Sequence, residues 1–119
     1  MKLEEAIFAK IAPWTDVLFD LDNVVVFKDK YPVTEGHWLF VPKEDSQDNI
    51  NKALLLAYDF GKRMVDDQEC DAYNIGMNCG ISAGQTVMYP HVHLIPRRRG
   101  DMPEPAGGVR HVIPEKGKY

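Results

Sequence analysis

One long helical pattern sits in the middle of this chain, and the apolar runs around it are short and strand-like. Ile50, Ala53, Leu54, Ala57, Phe60 and Met64 recur every three or four residues, so they share one helix face. Ser46 stands where an N-cap is needed, and Asp66-Asp67-Gln68-Glu69 closes the pattern with acidic residues that oppose the helix dipole and favour fraying. A stripe of that kind must be covered. Val17-Leu18-Phe19, Val24-Val25-Val26-Phe27, His37 to Val41 and Ala72 to Met77 supply the partner as strands, each bounded by turn residues. Asp20-Leu21-Asp22-Asn23 joins the first two as an antiparallel hairpin. The fold class is therefore α+β.

Ahead of the hairpin, Leu3, Ile7 and Ile11 at four-residue spacing predict an amphipathic helix over residues 2–11, which Pro13 stops. At 119 residues the chain is expected to form a single domain over 1–119, large enough for a core without disulfide or metal staples. A net charge of −4 argues against a general nucleic-acid binder. No apolar run reaches the length of a membrane span. Met1-Lys2-Leu3-Glu4-Glu5 lacks the apolar stretch expected of a signal peptide, and Cys70 and Cys79 make no Cys-x-x-Cys pair. Both point to a reducing, cytoplasmic setting. Residues 102–119 are rich in Pro and Gly and read as an extended C-terminal tail, in which Val109, Val112 and Ile113 are apolar enough to dock on a partner subunit.

The chemistry concentrates in Gly84-Gln85-Thr86-Val87-Met88-Tyr89-Pro90-His91-Val92-His93-Leu94-Ile95-Pro96-Arg97. On a strand, His91 and His93 project to one face with Tyr89, while Val92 and Leu94 face the other. Three readings of the pair stand side by side: metal ligands, a nucleophile with its helper, or satisfied surface histidines. Pro90 removes a backbone donor and predicts a local irregularity in the strand. Gly80 and Gly84 free the preceding loop to bring amide N–H groups close to an anion. Arg97-Arg98-Arg99 is either a solvated loop or a source of positive potential for a polyphosphate.

This stretch resembles the histidine triad (HIT) superfamily of nucleotide hydrolases and transferases. The likeness is nearest to its fragile-histidine-triad and bacterial dinucleoside-polyphosphate hydrolase branch. Asp29-Lys30-Tyr31-Pro32-Val33-Thr34-Glu35-Gly36-His37-Trp38-Leu39-Phe40-Val41-Pro42-Lys43 is similar to the upstream segment of that family. Asn74-Ile75-Gly76-Met77-Asn78-Cys79-Gly80 is similar to its strand and loop, and Gly107-Gly108-Val109-Arg110 to a tail found in bacterial members. The pieces run in family order through most of residues 24–114.

The resemblance implies a five-stranded antiparallel sheet with two helices packed on it, and a homodimer. It implies that His91 is the nucleophile and that His93 donates to the phosphate. Gln85, Thr86 and Asn78 would add donors, Asp29 would bind the ribose hydroxyls, and His37 would support the triad. Tyr89 departs from the pattern by standing at the place of the first histidine; a phenol there can hydrogen-bond to substrate but cannot carry charge near pH 7. The structural zinc site that some members build on an N-terminal Cys-x-x-Cys is expected to be absent, because Ile7-Phe8-Ala9-Lys10-Ile11 occupies that region.

A neutral imidazole is a competent nucleophile at phosphorus, giving a nucleotidyl-histidine that water then hydrolyses. The expected substrate is a dinucleoside polyphosphate or a nucleoside phosphoramidate. No tightly bound cofactor or metal is expected, and magnesium would arrive with the substrate. Two other readings remain: a nucleotide-binding or regulatory protein that has lost its chemistry through Tyr89 and Pro90, and a metal enzyme using His91, His93 and His37 or His111. The last is ranked lowest because no carboxylate lies at ligand spacing near the pair in the sequence.

Overall fold

The computed structural model describes residues 1–119. It contains helix α1 (Leu3–Phe8), strands β1 (Val17–Asp20), β2 (Val24–Lys28) and β3 (Trp38–Pro42), helix α2 (Gln47–Asp66), and strands β4 (Ala72–Gly76) and β5 (Val92–Arg97). The strands form one sheet in the order β1-β2-β3-β5-β4, and every neighbouring pair is antiparallel. The expected five-stranded antiparallel sheet with two helices is the fold observed. No helix is long and apolar enough to cross a membrane.

The strand sequences explain why both faces are covered. Val24 and Val26 of β2 point to α2, where they meet Phe40, Ala53, Ala57, Met64, Val92 and Leu94. Val25 and Phe27 point the other way, into a second cluster with Leu3, Ala6, Leu39, Val41 and Tyr89. The unbroken apolar run of β2 is what a strand buried on both faces requires. Ser46 caps α2 as expected, its Oγ accepting from the Asn49 N–H at 3.3 Å. At Gly61 a Cβ would come within 2.4 Å of the Tyr73 ring, so the helix can lie this close to β4 only without a side chain there.

Two expectations are corrected. The N-terminal helix spans only Leu3–Phe8: Ala9 ends it and Lys10 turns to φ 60°. Its buried residues are Leu3 and Ala6, while Ile7 and Ile11 are exposed. Four-residue spacing misled because the helix stops before Ile11 can join the stripe. The tail is not extended. It folds into two tight 3-10 turns, Gly108–Val112 and Pro114–Lys116, and His111 Nε2 hydrogen-bonds the Ala106 carbonyl at 2.9 Å. Val109, Val112 and Ile113 stay exposed.

Candidate active site

Pro90 shapes the site first. It cannot donate to a ladder, and β5 begins only at Val92, so residues 89–91 cross the α1 side of the sheet as irregular chain. The irregularity lets His91 fold back on its own backbone: its Nδ1 lies 2.9 Å from the Tyr89 carbonyl oxygen. A carbonyl only accepts, so Nδ1 carries the proton and Nε2 keeps its lone pair. The ring lines a cavity of about 770 Å³, within the range of small-molecule sites.

His93 is set by a longer chain of bonds. The Val33 N–H donates to His37 Nδ1 at 3.0 Å, which leaves the His37 proton on Nε2. That proton faces His93 Nδ1 at 2.9 Å and Asp29 Oδ2 at 3.3 Å. His93 therefore accepts on Nδ1 and carries its own proton on Nε2, the nitrogen left to serve the cavity that His93 also lines. Burial, reinforced by His91 and His37, pushes its pKa down to about 4, so it is a neutral donor at physiological pH. Burial likewise lowers His37, against the pull of Asp29.

Asp29, His37 and His93 bring one ligand atom each within 4.8 Å of one another, the outline of a metal site. The fold thus supplies a carboxylate beside the pair, which linear spacing had not shown. Yet the Val33 N–H holds His37 Nδ1 as an acceptor, so Nε2 keeps its proton and cannot ligate a metal while that bond stands. The triangle holds a proton. Asp29 keeps lone pairs to spare: Oδ1 accepts from the Tyr31 N–H at 2.8 Å, Oδ2 faces His37, and the carboxylate lines the cavity.

The other expected residues divide. Asn78 and Thr86 line the cavity, beside Gly84, whose φ of 92° closes the 3-10 turn at residues 81–83. Gln85 is corrected: its Oε1 accepts from the Gly80 N–H at 2.8 Å and its Nε2 donates to the Val87 and Met88 carbonyls at 3.1 and 3.3 Å. Its polar atoms brace the loop and are not on the cavity wall. Tyr89 is corrected too. Its side chain is 2% exposed and its hydroxyl donates to the Pro42 carbonyl at 2.7 Å. Burial, then Asp45, Glu44 and Glu5, push its pKa up to about 12, so it remains a neutral donor. Its side chain anchors the α1 cluster; only its carbonyl serves the site. His37 lies behind His93 and not on the wall, and is linked to the cavity through that ring.

Arg97 is held by Asp101 at 2.9 Å on two nitrogens and by Asn74 at 2.8 Å, and Arg98 by the Glu35 and Glu69 carbonyls. The arginine run closes the β4–β5 end of the sheet and does not line this cavity. The positive charges that do line it are Lys28 and Lys30, on either side of Asp29. Trp14 lines it as well. The alternation of charge and acid at 28–30 was a readable signal for the lysines; nothing in the sequence placed Trp14 beside His91.

The HIT domain family matches residues 13–100, and the chain belongs to that family. It is 33% identical over 100 residues to a HIT-like protein of Saccharolobus solfataricus, covering 76% of this chain and 72% of that one. It is 37% identical over 75 residues to the adenosine 5'-monophosphoramidase of Saccharomyces cerevisiae, covering 60% of this chain and 48% of the relative. The fold is similar to that of the zinc-bound histidine triad family protein of Mycobacterium smegmatis, with a TM-score of 0.69 and 28% identity over 83% of this chain and 76% of the other.

Proposed function

We propose that the protein cleaves a phosphoanhydride or phosphoramidate bond of a nucleotide through a covalent nucleotidyl-histidine on His91. The observation that carries this reading is the pair of contacts that set opposed tautomers, His91 Nδ1 at 2.9 Å from the Tyr89 carbonyl oxygen and His93 Nδ1 at 2.9 Å from His37 Nε2, with both rings on one cavity wall; they leave a lone pair on His91 Nε2 and a proton on His93 Nε2. His91 attacks phosphorus, and the electron pair of the breaking bond leaves with the departing group. His93 donates to the phosphoryl oxygens as charge builds on them. Water then attacks the adduct, the P–N electron pair returns to Nε2, and the proton of the water passes to solvent. Asp29 accepts from the ribose hydroxyls, Asn78 and Thr86 add donors, and Lys28 and Lys30 lend positive charge to the phosphates. Magnesium accompanies a polyphosphate substrate and is not held by the protein.

Nucleoside phosphoramidates and dinucleoside polyphosphates are the substrates to try first, the former supported by the named activity of the yeast relative. Incubation with adenosine phosphoramidate or diadenosine tetraphosphate should release AMP, and His91→Ala should abolish the release. Turnover unchanged in His91→Ala defeats the reading. The alternative of a binding protein that has lost its chemistry rested on Tyr89 and Pro90; the phenol's placement away from the cavity weakens the first ground, and the His91 Nδ1 contact to the Tyr89 carbonyl across the Pro90 irregularity weakens the second. Tight AMP binding with no turnover of either substrate would revive it. A homodimer and a cytoplasmic setting belong to the same proposal; light scattering on the purified protein tests the first.

A further inference from the structure

Trp14 touches the nucleophile itself. Its ring centroid lies 4.8 Å from that of His91, tilted by 57°, and 5.9 Å from that of Phe27. It is half-buried, and it separates the site cavity from a neighbouring cleft of about 740 Å³ between α1 and the β1–β2 hairpin. Only Thr15 is shared by the two hollows besides Trp14.

The electron count at His91 shows what such a neighbour can do. Nδ1 stays protonated on the Tyr89 carbonyl, its sole hydrogen-bond partner. When Nε2 gives its lone pair to phosphorus and the leaving group departs with the bonding pair, the ring holds an N–H and an N–P bond at once. It is then formally an imidazolium. The His91 ring makes no ion pair with a carboxylate: Asp29 pairs with His37, and the only hydrogen bond His91 makes is to the Tyr89 carbonyl. Two rings pack on it: His93, at 5.2 Å and held neutral, and the Trp14 indole, tilted by 57° at 4.8 Å, within the roughly 6 Å over which an aromatic quadrupole acts on a cation.

We propose that Trp14 is a positioning residue that holds the His91 ring and stabilises the cationic nucleotidyl-imidazolium, so that it governs formation of the intermediate more than binding of the substrate. The proposal rests on the covalent reading of His91. It assigns the indole a part in the chemical step that neither the family match nor the resemblance assigns.

The test is stopped-flow release of p-nitrophenolate from the AMP p-nitrophenyl ester, with the His91 adduct trapped by acid and located by mass spectrometry. Trp14→Leu keeps apolar bulk and removes the π face; Trp14→Phe keeps a π face. The expected result for Trp14→Leu is a loss of about tenfold in burst rate and kcat, with KM within about threefold of wild type. Trp14→Phe should recover most of the loss. Circular dichroism should show both variants folded, and AMP should perturb indole emission in wild type but not in Trp14→Phe, where Trp38 lies on the α2 side of the sheet. A Leu variant as fast as the Phe variant, or a defect confined to KM, overturns the proposal while leaving His91 chemistry intact. A wild type that forms no adduct on His91 overturns the covalent reading instead, and the role of Trp14 with it.

Discussion

His91 and His93 stand two positions apart in sequence and are opposite in tautomer because their Nδ1 atoms meet different partners, a backbone carbonyl for His91 and the His37 ring for His93. The Tyr89 carbonyl makes His91 Nδ1 a donor; the Val33 amide, acting through His37, makes His93 Nδ1 an acceptor. His37→Ala breaks that chain and frees His93 to exchange tautomers. The expected outcome is a fall in kcat of about a hundredfold with KM little changed, and nitrogen NMR shifts of His93 should report a mixed tautomer. A defect in KM alone would contradict it. The strand carrying His93 was readable from residue alternation; His91 lies just before it, on the irregular stretch that Pro90 predicted. The tautomers were not readable, since they depend on Val33 and His37, far away in the chain.

At the scale of elements, α2 and the strand runs were legible because periodicity and capping agree. The ends were less so: α1 stops short of Ile11, and the Pro-rich tail winds into 3-10 turns instead of extending. Gly61 shows what periodicity cannot reveal. Inside a helix, Ala is ordinarily the better residue by about 1 kcal/mol. Here the Tyr73 ring lies where the methyl would go, so Gly61→Ala should destabilise by about 1–3 kcal/mol, measured by urea unfolding. Tyr89→Phe isolates the other element contact. It leaves the Pro42 carbonyl without its donor, at a cost of about 1–3 kcal/mol and a Tm lower by several degrees. The adduct-forming activity should survive, because the phenol is not on the cavity wall; loss of turnover in a folded Tyr89→Phe protein would return the side chain to the chemistry.

The whole molecule couples the site to acid stability. His93 is held at about pKa 4 when folded, against an ordinary value near 6.5 when unfolded. Between those values the unfolded chain binds the extra proton, so stability is full above about pH 6.5 and declines as pH falls toward 4. His37, also lowered by burial, adds in the same direction. The decline should be on the order of 2 kcal/mol once the partial exposure of the His93 ring is allowed for. His93→Asn should flatten that part of the curve; an unchanged slope would show that other groups cause it.

By itself the sequence determined the local choices: a helix where apolar residues recur every three or four positions, strands where β-branched runs lie between turns, and a His-x-His pair at the start of the last strand, of which only His93 lies on the strand. Those depend on neighbours within a few residues, so they can be read along the chain. The fold alone decided which groups meet across long separations. It put a carboxylate and a third histidine behind His93, an indole on His91, and turned Gln85 and Tyr89 from expected substrate contacts into braces for a loop and a core. The physical reason is that a hydrogen bond or a ring contact is set by distances of a few ångströms in space, which sequence order does not encode.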